Sequence, residues 1–110
     1  MLTFNFFIRE FFIFIHYKMP GYSISAYTRR KAREIGVTVR SSTRKGKKID
    51  VFKNQKKVAA IGSINFEDFS SYSRKNKSKA NERRRLYHIR HKKDSAKKGT
   101  PGYYAAKLLW

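Results

Sequence analysis

Cysteine is absent from these 110 residues, which excludes a disulfide framework and any thiolate zinc site and leaves the redox compartment open. Acidic residues are scarce: 7 Asp and Glu stand against 27 Lys and Arg, for a formal charge of +20. A nuclease needs carboxylates that converge on a divalent ion, and Asp50 with the neighbouring pair Glu67 and Asp68 forms no recognisable set. Among so many cations that pair reads more simply as internal counter-charge. Gly46-Lys47 lacks both the preceding glycine and the following Ser or Thr of a phosphate-binding loop. His88, His91 and Asp94 follow at i, i+3 and i+6, yet no Cys or other clustered His completes a metal shell, and the surrounding Arg and Lys repel a cation. The plainer expectation has His91 cap the helix or pack beside Arg90 and leaves His88 solvated. There are no internal repeats at solenoid periods. Neither an enzyme nor a bound metal or cofactor is expected.

What the chain does have is positive charge. A compact domain of this size repels itself at such a charge unless a polyanion or anionic surface neutralises it. At 15% aromatic residues it is not a disordered basic tail, which lacks the apolar surface to order itself. Residues 29–57 and 74–98 each hold twelve Lys or Arg and only two acids. Arg clamps phosphate bidentately and Lys adds point charges along a backbone, so sequence-independent attachment to nucleic acid is expected. The candidate contacts are Arg29, Arg30, Lys31 and Arg33, then Arg44, Lys45, Lys47 and Lys48. A third set follows in Arg83, Arg84, Arg85, Arg90, Lys92, Lys93, Lys97 and Lys98. Tyr27 and Tyr87 lie among these charges and would stack on bases if exposed; the competing expectation packs them between helices and sheet. A solvated face normally alternates its signs, and here the excess is net.

Residues 1–18, MLTFNFFIREFFIFIHYK, differ from the rest, holding seven of the sixteen Phe and Tyr and only Arg9, Glu10 and Lys18 as charges. A transmembrane helix here is marginal in length and is interrupted by Arg9 and Glu10. A secretory signal lacks its basic start and small-residue cleavage site. A peripheral anchor or docking segment lays Phe4, Phe6, Phe7, Phe11, Phe12 and Phe14 into lipid or another protein. In a fourth reading Met19 is the initiator and residues 1–18 are upstream sequence. The expected organisation is this extension followed by one basic domain over 19–110.

Within that domain Ser25 and Gly36 bracket a helix with Ile24, Tyr27, Ala32 and Ile35 inward. Alternation over 37–43, 49–53 and 58–61, with turns at 44–47 and 54–56, predicts a three-stranded antiparallel meander closed by Gly62. Such a sheet needs a helix on one face for independent stability. Ile64, Phe66, Phe69 and Tyr72 are expected to lie over the sheet. Residues 74–79 read as a flexible basic linker. A basic helix over 82–94, with Ser78 as a plausible N-cap, turns Leu86 and Ile89 inward, while Arg83, Tyr87 and Arg90 share an adjacent ridge. The helix should stop by Gly99. Thr100 then caps a short helix with Pro101 at its first position, whose Tyr104, Leu108, Leu109 and Trp110 form an apolar end. The fold class expected is α+β.

The blocks GKKIDVF, KVAAIGSINFEDFSSY, ERRRLYHIRH and KKGTPGYYAAKLLW, in this order, resemble a family of small basic proteins of uncharacterised function encoded by large nucleocytoplasmic DNA viruses, with looser relatives in phages. The resemblance covers roughly residues 20–110. RRRLYHIRH and GTPGYYAAKLLW are its most specific parts, and the aromatic extension falls outside it. It implies a viral context, in the virion or the infected host cell, and carries no chemistry. The residues and the resemblance together lead to the expectation of a non-enzymatic, particle-associated protein bound to nucleic-acid backbone. The alternative is a minor capsid or structural protein that docks its Phe-rich N-terminus on capsid proteins or an internal membrane and meets acidic protein surfaces or lipid headgroups with its basic body.

Overall fold

Ser25 starts the first helix: its backbone is extended and its Oγ accepts from the Thr28 N–H at 3.1 Å. Helix α1 (Ala26–Ile35) ends at Gly36, whose positive φ of 76° lets its N–H return to the Ala32 and Arg33 carbonyls. The computed structural model describes residues 22–110. The extension 1–18, with its docking phenylalanines and the question of Met19, therefore lies outside the described residues.

Strands β1 (Thr38–Ser41), β2 (Lys47–Lys53) and β3 (Lys56–Ser63) pair antiparallel in the order β1-β2-β3. Asn54 and Gln55, at φ 52° and 66°, form the two-residue turn between β2 and β3, the hairpin geometry that matches the twist of its strands. The register slips between Val51 and Phe52, leaving Val58 as an extra residue on β3, a bulge. Strand β3 does not stop at Gly62 as expected but runs to Ser63.

Alternation places Val39, Ile49, Val51, Ala59 and Ile61 in the core, where Ala32 of α1 meets them. The other component is α5 (Pro101–Leu109), capped by Thr100 as its sequence predicts and contributing buried Tyr104, Leu108 and Leu109. The α+β architecture is thus a three-stranded meander with α1 and α5 packed on it. Thr28, fully buried, ties the two helices by donating its Oγ1 to the Leu108 carbonyl at 2.8 Å.

The helical arm between sheet and α5 departs from expectation. The segment 74–79 is helix on either side of Asn76 rather than a flexible linker. Helix α2 (Phe69–Lys75) ends and α3 (Lys77–Arg90) begins at Asn76, not at Ser78, because the Asn76 side chain accepts from the Lys79 N–H at 3.0 Å. The chain breaks again at His91 before a short α4 (Lys92–Ala96), so 82–94 is not one helix. Leu86 is half-buried and Ile89 is 60% exposed. The side of α3 that packs carries Ala80, which is fully buried, and half-buried Arg84 and Tyr87. A broad ring at Tyr87 offers more contact area than the narrow Leu86-Ile89 stripe. Phe69 is buried, but Ile64 and Phe66 are 51% and 74% exposed and do not cover the sheet. Among the described residues no helix is long and apolar enough to cross a membrane.

Gly62 has a φ of 78°, and a Cβ there would lie 2.8 Å from Leu109 Cδ1 and 3.1 Å from Lys48 Cδ. Gly36 has the same backbone sign with nothing within 4 Å. Gly36→Ala is expected to cost about 1 kcal/mol, the left-handed penalty alone. Gly62→Ala should cost distinctly more, because Leu109 must also move. Urea unfolding of the two variants checks this, and equal losses would show that the close approach at Gly62 is unimportant.

Candidate nucleic-acid interface

The six carboxylates between Tyr22 and Trp110 all have partners. Glu34 lies 3.8 Å from Arg30, Asp50 3.3 Å from Lys57, Glu67 2.9 Å from Lys75, Asp68 3.0 Å from Lys48, and Glu82 2.6 Å from Arg85. Asp94 lies 3.3 Å from His91 Nδ1. Among the described residues only those five cations pair with an Asp or Glu within 4 Å, and the rest of the Lys and Arg are in excess.

Asp50 and Asp68 are buried. Burial alone would raise the Asp50 carboxyl, but hydrogen bonds from the Ser42 hydroxyl, the Thr43 N–H and Lys57 outweigh it and hold it below the ordinary carboxylate range. Asp68 follows the same logic: burial raises it, while donors from the Tyr22 hydroxyl, the Ser71 N–H and the Lys48 ammonium bring it below that range. Asp68 also forms a capping box with Ser71 at the start of α2. Its partner Tyr22 is pushed above the usual phenol range, first by burial and then by the bond to Asp68.

This pairing corrects one expected nucleic-acid contact. Lys48 is 4% exposed, and its ammonium stands over the Tyr22 ring at 5.0 Å besides bonding Asp68. An unpaired ammonium could not remain buried there. Its stem passes Gly62, where the missing side chain leaves room. Arg84 is also engaged internally: it covers the Phe69 ring at 4.1 Å and donates to Asn81 at 3.1 Å.

The other expected contacts stand at the surface. Arg29, Arg30 and Arg33 are exposed on α1, with Lys31 half-buried beside the Tyr27 ring. Arg44 and Lys45 are exposed and Lys47 half-buried around the turn into β2. Arg83, Arg85 and Arg90 on α3, Lys92 and Lys93 on α4, and Lys97 and Lys98 beyond it are exposed. Lys107, exposed on otherwise apolar α5, is not among the expected contacts; its place inside the i, i+4 pair of Tyr104 and Leu108 was the available signal.

Lys107 matters because of where the helices meet. Lys31, His88, Ser95 and Lys107 line a shallow cavity of about 310 Å³. The His88 imidazole is held below its usual proton affinity by burial and by Arg84, Lys31 and Lys107, against a hydrogen bond with the Trp110 backbone. His91 instead stacks on Tyr87 at 4.2 Å. No three His, Asp or Glu converge as a metal set among the described residues.

A larger cavity of about 430 Å³ opens where the sheet, the turn before α2, α3 and α5 meet. Tyr72, Tyr87 and Trp110 wall it, Lys48 and Asp68 line it, and Arg83, Arg90 and His91 border it. Tyr87 stacks on Trp110 at 4.7 Å and 9°, and Tyr72 meets Trp110 at 6.2 Å, tilted 45°. Tyr27, by contrast, packs on Phe69 at 4.8 Å and donates to the Trp110 carbonyl at 3.0 Å. Both tyrosines are half-buried.

No family model, curated protein or solved structure matches the chain.

Replacing either member of the buried pair should be severe. Lys48→Met and Asp68→Asn are each expected to cost about 3 kcal/mol or more, since each leaves a buried partner uncompensated, and the double variant should recover part of the loss. Because folding lowers the Asp68 pKa, its contribution is present above the ordinary value of about 4 and disappears as pH falls through the lower folded value. Chemical unfolding from pH 6 to 2 checks this; Asp68→Asn should flatten the acid limb.

Proposed function

We propose that this is a non-enzymatic protein that binds nucleic-acid backbone without reading sequence. The observation that carries this reading is the internal matching of the acids: each of the six described carboxylates has a partner within the fold, so most of the remaining Lys and Arg stand exposed without opposing charge among the described residues. The exposed candidates spread over α1, the β1-β2 turn, α3, α4 and the loop after it. A spread of this kind suits contact with phosphates along a backbone better than recognition of base edges by one element. The adjacent Glu67 and Asp68 supply no shared carboxylate site, since Lys75 holds one at the surface and Lys48 holds the other inside. The resemblance to small basic proteins of large DNA viruses supports viral nucleic acid as the partner, in the particle or the infected cell.

The second reading is a minor structural protein of the particle, docked on a capsid partner or membrane. Exposed Ile64, Phe66 and Ile89 favour it, as large apolar side chains available to a partner.

Labelled duplexes of unrelated sequence should bind with similar affinity by fluorescence anisotropy. Neutralising about six phosphates implies weakening by roughly 10³-fold between 50 and 200 mM salt. A dissociation constant indifferent to salt overturns the first reading. Under the second, deleting residues 1–18 abolishes incorporation into particles and leaves the body folded; normal incorporation of that variant counts against it.

A further inference from the structure

The 430 Å³ cavity has a chemistry that backbone binding does not use. Its size suits a small planar ligand rather than a side-chain contact. Its walls are the rings of Tyr72, Tyr87 and Trp110. At its border Phe66 is 74% exposed and has no aromatic partner among the described residues, so a large apolar face stands in water where a flat π-system would cover it. Lys48, which lines the cavity, is buried, and its ammonium donates to Asp68 alone among the described residues. A lysine carries three N–H donors; with Asp68 taking one and the Tyr22 ring facing the ammonium at 5.0 Å, one remains for an exocyclic carbonyl oxygen. Both Asp68 oxygens already accept, Oδ1 from Ser71 and Oδ2 from Lys48 and Tyr22. The interior therefore offers donors before acceptors.

The border is cationic. Arg83 and Arg90, both exposed, lie seven residues apart on α3, two helical turns or about 10 Å along one edge. The one carboxylate at the border, Glu67, is neutralised by Lys75, whose ammonium reaches both its oxygens at 2.9 Å.

We propose that this cavity receives one unpaired nucleobase of a bound strand, stacked on the Phe66 ring at its mouth, with Arg83 and Arg90 holding the phosphates on either side. The inference deepens the nucleic-acid reading and rests on it. Its consequence is a preference for single strands over duplex, because a paired base is not free to enter, while base-to-aromatic stacking tolerates any sequence.

Trp110 is the sole tryptophan of the chain and stands in the wall, so its emission reports occupancy. Full-length protein is titrated with end-labelled dT10, an abasic decamer of the same backbone, and a ten-pair duplex, reading label anisotropy and Trp110 fluorescence together. All three should raise the anisotropy, and only dT10 should quench Trp110 strongly. Phe66→Ala, an exposed position that does not endanger folding, should weaken dT10 about 5- to 30-fold and leave the abasic strand unaffected. Equal affinity and equal quenching for dT10 and the abasic strand overturns the inference while preserving backbone binding. If none of the three strands binds, the nucleic-acid reading itself fails, and this inference with it.

Discussion

Asp68 is the joint of the molecule. One carboxylate caps α2 through the Ser71 N–H, holds the Lys48 ammonium arriving from β2, and accepts the hydroxyl of Tyr22 from the segment before α1. Three stretches of chain far apart in sequence are thereby fixed around one charge. The energetics explain why this junction is definite: a buried ammonium without a carboxylate, or the reverse, is expensive enough to forbid alternative placements of the arm. Ser25 and Ser70 reinforce the same seam, their hydroxyls 2.8 Å apart, as does the contact of Tyr27 with Phe69.

The scarcity of negative charge gives this arrangement its consequence for binding. Glu34, Glu82 and Asp94 are the only acids on α1, α3 and α4, so among the described residues most cations of these helices lie without a neighbouring carboxylate. The folded state then stores repulsion that a polyanion relieves, and any ligand that binds only the folded chain stabilises it by mass action. A polyanion that bound this surface would therefore also stabilise the fold. The His88 imidazole is held below its usual proton affinity first by desolvation, with Arg84, Lys31 and Lys107 adding to the effect.

How legible this was depended on range. Ser25, Gly36, Thr100 and Pro101 announced helix ends because capping and dihedral preference operate over three or four residues. The meander was readable from alternation and from the short connection at 54–56, in which Asn54 tolerates positive φ while Gln55 adopts it against its preference. Lys48 was not readable as buried. Its charge looked like that of Lys45 or Lys47, and what distinguishes it is Gly62 across the sheet and Asp68 twenty residues on. Reading Glu67 and Asp68 as internal counter-charge pointed toward such a pair without naming the partner. The segment 74–79 misled through composition: its lysines resemble a linker, but Asn76 caps a helix that tertiary contacts at Ala80 and Tyr87 support.

The ridge of Arg83, Tyr87 and Arg90 on α3 was visible at spacings of four and three, and only the side it faces was misjudged. Leu86 and Ile89 seemed the natural inward pair by hydropathy, yet Tyr87 gains a parallel stack on Trp110 on one face and His91 on the other. Helical geometry then leaves no freedom: with Tyr87 turned to the cavity wall, residues four before and three after it must border the same opening. The stacking that anchors a highly basic helix therefore also sets two arginines at the edge of an aromatic cavity. Folding and the presentation of charge are accomplished by a single rotation of α3.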